Sequence, residues 1–416
     1  MQEENNLVPQ LRFPEFKGGW EKLIYNDIFS FNSTNSYSRI QLNYKRGLVK
    51  NIHYGDIHTK FPTIFDINKE QVPFINPDIE ISNIKEENYC QDGDLVIADA
   101  SEDYNDIGKT IEIVNLNDEK VVAGLHTFLA RPKLKMALGF SGYMLQYSKV
   151  RKQIMTIAQG TKVLSLSTSR LGKINLKIPS LPEQQKIAQF LTAVDTRIQN
   201  LEKRRELLEQ YKKGVMQKIF KQELRFKDDG GKEFPDWEFK NGNRLFKSIS
   251  DKNHNSDLPI LAITQDQGAI PRHLIDYNIG VTAKSVSSYK IVQVGDFIIS
   301  LRSFQGGIEY SYYKGICSPA YIILRPAAEL NRDFYKFYLK TSSYIQELTK
   351  KLEGIRDGKM ISYKYFSEIK LPYPSLEEQQ KIANFLLAID EKITVTTQKI
   401  EQSKTYKKGL LQKMFV

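Results

Sequence analysis

The sequence predicts an α+β protein. Two mixed α/β bodies are separated by two long α-helices that form an antiparallel coiled coil, in a pseudo-two-fold, circular arrangement. Three observations predict it. A 42-residue segment occurs twice. Each copy carries a heptad stripe of apolar residues. The stretches between the copies are rich in short β-like runs, broken by glycine- and asparagine-containing turns.

The duplicated segment aligns without a gap. Residues 179–198 read PSLPEQQKIAQFLTAVDTRI and residues 374–393 read PSLEEQQKIANFLLAIDEKI, an offset of 195. The same offset lays Tyr211-Lys212-Lys213-Gly214 on Tyr406-Lys407-Lys408-Gly409, and 22 of the 42 positions from 179–220 to 374–415 are identical. A weaker repeat lies outside it. Leu11-Arg12-Phe13 before Trp20-Glu21 matches Leu224-Arg225-Phe226 before Trp237-Glu238, and Gly93-Asp94-Leu95-Val96-Ile97 matches Gly295-Asp296-Phe297-Ile298-Ile299. The second copy stops where the first runs on into Leu-Arg-Phe, and the start of the chain supplies that element. Such a repeat is nearly circular and predicts ends that lie close together. The boundaries follow: a first body over 1–170, a first helical region over 171–224, a second body over 225–365 and a second helical region over 366–416.

Each helical region opens on a start signal. Ser180-x-x-Glu183 and Ser375-x-x-Glu378 are capping boxes, in which hydroxyl and carboxylate each satisfy a backbone N–H that has no helical partner. Pro182 in the first turn has no N–H to leave unpaired. Apolar residues then recur in steps of four and three: Ile187, Leu191, Val194, Ile198, Leu201, Leu208, Val215 and Ile219, and again Ile382, Leu386, Ile389, Ile393, Ile400, Leu410 and Met414. A heptad stripe this long means a helix packed on another helix, each roughly 60 Å long at 1.5 Å per residue. Arg205, Lys212, Thr396, Ser403 and Lys407 interrupt the seam. Gly214 and Gly409 stand inside it, where glycine costs about 1 kcal/mol relative to alanine. Close approach of another backbone is the expected reason, with an end or kink of the helix as the alternative.

The bodies carry the β-like runs Leu95-Val96-Ile97, Thr110-Ile111-Glu112-Ile113-Val114, Phe297-Ile298-Ile299 and Tyr321-Ile322-Ile323-Leu324, with a helical stretch near Ser343 to Leu352. Their loops hold Lys, Arg, Gln, Ser and Tyr side chains. Arg and Gln in loops match the paired donors and acceptors of base edges, and Lys and Arg match phosphates. The candidate contacts are Lys45, Arg46, Tyr54, Lys109 and Lys162 in the first body, and Gln265, Gln267, Arg302, Ser303, Gln305 and Arg356 in the second. A formal charge of +11 agrees with a polyanionic partner without proving one.

Several function classes are excluded. The only cysteines, Cys90 and Cys317, stand far apart, so neither a disulfide framework nor a cysteine zinc site is expected. The five histidines, His53, His58, His126, His254 and His273, have no metal-ligand spacing at short range, and His53 and His58 are expected to be surface or loop residues. Ile107-Gly108-Lys109-Thr110 resembles the end of a phosphate-binding loop, but Asp103 stands where the first glycine is required. Pro235-Asp236-Trp237-Glu238 evokes a nuclease metal site. Its recurrence as Gly-Trp-Glu at 19–21 marks a strand start instead. No Asn/Asp-Pro-Pro-aromatic motif of an amino-methyltransferase occurs. The polar, acidic first six residues argue against a signal peptide, and no apolar run reaches 18 residues, so a cytoplasmic address without membrane contact is expected.

The duplicated Pro-Ser-Leu-x-Glu-Gln-Gln-Lys-Ile-Ala-x-Phe-Leu and Tyr-Lys-Lys-Gly-x-x-Gln-Lys motifs resemble the conserved regions of type I restriction specificity subunits, and the resemblance covers the full chain. It implies two target-recognition domains, each reading one half of a bipartite, interrupted double-stranded DNA site. The paired helices would set the spacing between the halves and dock two methyltransferase subunits, with restriction/translocase subunits completing the complex. The chain itself would need no cofactor. S-adenosylmethionine for adenine methylation, and ATP and Mg2+ for cleavage, would belong to the partners. The motif residues Glu183, Gln184, Gln185, Lys186, Phe190, Tyr211, Lys212 and Gly214, with Glu378, Gln379, Gln380, Lys381, Phe385, Tyr406, Lys407 and Gly409, would serve helix pairing and subunit docking. The competing readings are a self-sufficient DNA methyltransferase or nuclease, against which the missing motifs argue, and a purely structural scaffold. Against the scaffold stands the unequal divergence: the helical segments still align without a gap, 22 of 42 positions identical, while the bodies have drifted.

Overall fold

Two long helices, Leu181–Phe220 and Leu376–Met414, follow the duplicated segments almost residue for residue. The computed structural model describes residues 7–255, 257–275, 286–350 and 361–416. It forms two units. One comprises Met1–Glu202 with Gln398–Val416, the other Lys203–Thr397, so each unit takes part of each helix.

In the first unit a five-stranded sheet runs in the order Phe29–Asn32, Thr127–Pro132, Leu95–Ala98, Thr110–Val114, Ile64–Asp66, antiparallel except for the last pair. Leu95–Ala98 and Thr110–Val114 are buried throughout, as apolar runs covered on both faces should be. A four-stranded sheet of Val121–Ala123, Lys50–Ile52, Phe74–Ile75 and Leu42–Asn43 adjoins it. The second unit repeats the first sheet in four antiparallel strands: Phe246–Ile249, Ile322–Pro326, Phe297–Ile299 and Glu309–Tyr310. The helix expected near 343–352 is found over Ser342–Thr349.

The duplicated Gly-Asp element has a physical reason. Gly93 and Gly295 turn the chain at φ +89° and +88°, which a side chain rarely permits. The aspartate that follows is buried against an arginine of the neighbouring strand. Asp94 accepts from Arg131 Nη2 at 2.7 Å and Asp296 from Arg325 Nη2 at 2.7 Å. Each also accepts from a backbone N–H, of Gln91 or Gln293, at 2.8 Å.

Most of the heptad seam is buried, with Val194, Leu201, Leu208 and Ile393 half-buried. Ile187, Leu191, Ile198, Ile400, Leu410 and Met414 are buried in the first unit, and Val215, Ile219, Ile382, Leu386 and Ile389 in the second. In the first unit Asp195 pairs with Lys407 and Glu202 with Lys404, so one helix ascends as the other descends. The ends of the chain also meet there: the Leu11 N–H donates to the Lys413 carbonyl at 2.8 Å. The expectation for Gly214 and Gly409 is overturned. Both helices continue past them, and a Cβ at either position would meet nothing within 4 Å.

Candidate nucleic-acid interface

The motif glutamates hold each body to its helix. Glu183 is buried and accepts from Arg12 Nε at 2.8 Å, from Arg12 Nη2 at 2.7 Å and from Trp20 Nε1 at 3.3 Å. Glu378 repeats this with Arg225 at 3.2 and 2.9 Å and Trp237 at 3.0 Å. Only half of the expected capping box forms at Ser375: its hydroxyl accepts from the Glu378 N–H at 3.2 Å, while the carboxylate turns to arginine and tryptophan. A charged, forked donor is a stronger partner than a backbone amide. Phe13 stands edge-on to Phe190 at 5.9 Å and Phe226 lies near Phe385 at 5.4 Å. Gln184 and Gln379 are buried and bond back to Pro179 and Pro374 at 3.0 and 2.8 Å. Lys186 and Lys381 close the arrangement, Lys186 with Glu15 at 3.3 Å and Lys381 with Asp229 at 2.7 Å. Gln380 accepts from Asn331 at 2.8 Å, whereas Gln185 is exposed. Within each unit these motif residues therefore join helix to body.

The other half of the motif divides in two. Lys212 pairs with Asp390 at 2.5 Å and Lys407 with Asp195 at 2.7 Å, each bridging one helix to the other. Tyr211 and Tyr406 point outward, 54% and 56% exposed, and Gly214 and Gly409 follow one turn later.

On the first unit, candidates from distant segments gather. Tyr54 opens the short helix Tyr54–Thr59. From that helix, Asp56 binds Arg39 at 2.7 Å and Lys60 at 3.0 Å. Burial would raise the Asp56 carboxyl, but these two cations hold it below its ordinary value. Lys60 lies 5.5 Å above the Tyr44 ring, and the neighbouring Lys45 and Arg46 N–H groups both donate to Asn43, leaving their side chains exposed. Lys109 reaches the His58 carbonyl at 2.6 Å. Lys162 is exposed on the loop entering Leu164–Ser165, which pairs with Ala100–Ser101. His53 does stand in a loop, as expected of a surface or loop residue, but it is buried and caps the helix through Gly55 N–H, while His58 lies within the helix, half-buried rather than on the surface.

On the second unit, Gln265 Nε2 donates to the Arg302 carbonyl at 3.2 Å, and Lys340 donates to the Gln265 carbonyl at 3.1 Å. The turn of Gln265 and Gln267 thus touches the turn of Arg302 and Gln305, and all four side chains are exposed. Ser303 is turned inward: it is buried, and its hydroxyl accepts from Ser300 N–H at 2.8 Å. Arg356 lies outside the described residues. Among the described residues no group of His, Cys, Asp and Glu is placed to hold a metal ion, and no helix is long and apolar enough to cross a membrane.

Sequence reasoning missed the glutamate clamps, although both partners are duplicated and an Arg and a Glu repeated in step were a usable signal. It also missed Asp195 and Asp390, whose opposite charge to Lys407 and Lys212 in the same repeat pointed to pairing. Asp99 and His126, which meet at 3.3 Å, had no such signal because nothing in the repeat or in local spacing links them.

The scaffold is built twice, and the exposed cationic and amide side chains on its loops differ between the copies. The model of the type I restriction modification DNA specificity domain matches twice, over residues 51–210 and 237–404. The chain belongs to this family, the DNA-recognising specificity subunits of type I restriction–modification systems. It is 29% identical over 336 residues to a Methanocaldococcus jannaschii protein assigned as the type I restriction enzyme MjaX specificity subunit, covering 77% of this chain and 76% of that one. It is 26% identical over 290 residues to the MjaVIII specificity subunit of the same organism, covering 65% and 68%. Its fold is similar to the crystal structure of the S subunit from M. genitalium, with a TM-score of 0.56 at 14% identity over 98% of this chain and 99% of that one. A chain from a structure concerned with complex assembly and conformational transition of the type I R-M system gives 0.55 at 17%, over 95% and 97%.

Proposed function

We propose that this chain reads a bipartite, interrupted DNA target for partner enzymes, one unit for each half, and makes or breaks no bond itself. The observation that supports this is one scaffold with two rims. The glutamate clamp and the Gly-Asp turn recur in both units, while the loops beside them carry Tyr54, Lys109 and Arg39 in one and Gln265, Arg302 and Gln305 in the other. A repeated frame with unlike contacts suits two unlike half-sites. Two methyltransferase subunits dock on the helical regions, and restriction/translocase subunits join them. S-adenosylmethionine, ATP and Mg2+ are used by those partners, in the cytoplasm where the DNA lies. The outward faces around Tyr211 and Gly214, and around Tyr406 and Gly409, are the docking stripes, because the remaining motif side chains are mostly occupied within the chain.

The test is reconstitution. The purified chain is expected to transfer no labelled methyl group to DNA, hydrolyse no ATP and cut no duplex. Co-expression with a methyltransferase subunit is expected to give adenine methylation at a two-part motif with a constant gap. Methyl transfer by the chain alone would overturn the adaptor reading.

A further inference from the structure

Three of the five histidines surround one tyrosine in the first unit. The Tyr54 ring lies 4.7 Å from His53, and His58 and His126 stand edge-on to it at 6.0 and 5.3 Å. The three imidazoles are not equivalent. His53 faces inward, and burial, with Arg39 nearby, lowers its pKa. His58 Nε2 meets the Ala100 carbonyl at 3.0 Å. His126 alone is held at the rim, its side chain 52% exposed and its Nδ1 3.3 Å from the Asp99 carboxylate.

His126 is also strained. Its backbone is left-handed at φ 55°, a conformation few non-glycine residues adopt. The Asp99 N–H holds it there by donating to the His126 carbonyl at 3.1 Å. One aspartate therefore fixes both the backbone and the ring of the same residue. With Nδ1 turned to Asp99, no described residue engages Nε2, and none engages the Tyr54 hydroxyl. That backbone bond extends the ladder in which Thr127 pairs with Ala98, so the sheet fixes where the ring stands and leaves its Nε2 open to a partner outside the chain.

The repeat locates that contact. Asp99 directly follows the strand Leu95–Ala98, whose counterpart Phe297–Ile299 leads instead into Arg302 and Gln305. Where a common scaffold changes chemistry between copies, the difference falls on what each copy reads. We propose that His126 is a specificity-determining residue of the first unit, its Nε2 bonding a base edge of one half-site, with Asp99 as its positioning residue and Tyr54 bracing the ring. This rests on the DNA-reading function proposed above. Lys109, Arg39 and Lys60 stand nearby, held by the His58 carbonyl and Asp56, and on this proposal the phosphates beside that base meet these cations.

The full chain, co-expressed with its methyltransferase subunit, is tested by mapping methylated adenines across a genome and by duplex affinity. His126→Asn suits the purpose, because asparagine tolerates the left-handed backbone. It is expected to relax one base position in one half-site, leave the other half unchanged, and weaken the cognate duplex by roughly 5- to 150-fold, the range of a single base contact. Asp99→Asn is expected to relax the same position more weakly, and the double variant no more than His126→Asn alone. An unchanged motif with affinity within about twofold overturns the assignment. Should His126→Asn read neither half, Asp99→Asn decides: one relaxed position supports the pair, an unaltered motif sinks it. A wild-type complex that methylates no two-part motif would refute the underlying function instead, before any variant is made.

Discussion

At Gly214 and Gly409 a single missing methyl group is informative, because no described residue occupies the space it would fill. Gly214→Ala and Gly409→Ala are each expected to stabilise the isolated chain by about 1 kcal/mol in urea denaturation, the ordinary gain for alanine in a helix interior. Beside exposed Tyr211 and Tyr406 they are expected to weaken co-purification of the methyltransferase subunit; unchanged recovery would remove them from the docking stripe. Glu112 makes a second case. Its carboxylate is buried and accepts from the Gly139 and Gly142 N–H groups, both at 2.6 Å. Burial nevertheless pushes it up to about 7. The folded chain then holds a proton that the unfolded chain releases near its ordinary value. Stability is therefore fully present below about 4.5 and lost as pH rises through 7, on the order of 3 kcal/mol in all. Glu309, also raised to about 7 by burial, has the same sign in the second unit. Glu112→Gln is expected to flatten the slope for the first unit between pH 5 and 8, with Trp20 fluorescence in a Trp237→Phe background as the probe.

At the scale of elements, each long helix is fastened to a body by one buried glutamate. Breaking a buried pair leaves a stranded charge, so Arg12→Ala is expected to destabilise the first unit by about 3–5 kcal/mol. Arg225→Ala should do the same to the second unit. The only two tryptophans, Trp20 and Trp237, stand one in each clamp, so their separate melting reports which unit has loosened. Equal loss at both tryptophans from either variant would show that the clamps do not act unit by unit. The helices, their seam and the strands around Leu95 and Phe297 were legible in the sequence, because periodicity and duplication are local or repeated signals. The destination of Glu183 was not, since a capping box and an arginine clamp begin with the same residues and only the fold brings Arg12 within reach. The rims were legible only in part. Of the loop residues named by type, Gln265 and Arg302 are exposed and Tyr54 and Lys109 half-buried, but Ser303, chosen by the same rule, faces inward. Asp99 and His126 meet as cross-strand neighbours just past the end of the Leu95–Ala98 and Thr127–Pro132 ladder, a long-range pairing that no spacing rule marks.

For the whole molecule, the charge of +11 acquires meaning once two rims carry exposed cations. Neutralising phosphates releases condensed counterions, so affinity should fall steeply with salt. A complex making about six to ten phosphate contacts loses roughly 10³–10⁵ in affinity between 50 and 200 mM. Titration of the methyltransferase-bound chain with cognate duplex is expected to show a log–log slope of that order. The His126→Asn variant is expected to keep the slope while losing affinity, because a base contact releases no counterion. A slope that falls with that variant would place His126 on a phosphate.

The closure of the first unit by the end of the chain imposes an order on its making. Leu410, Met414 and Phe415 pack with Trp20 and Phe140 in one core, Phe415 at 6.0 Å from Trp20. The second unit is one unbroken stretch, Lys203–Thr397. A ribosome delivers residues in sequence at about 5–20 per second. The body whose residues emerge first must therefore wait, its tryptophan uncovered, while the whole of the later body is synthesised. A nascent chain halted at Thr397 has every residue of the second unit and an open seam in the first, and that interval, roughly 10–40 seconds long at these rates, is when a chaperone or protease would find this protein most accessible.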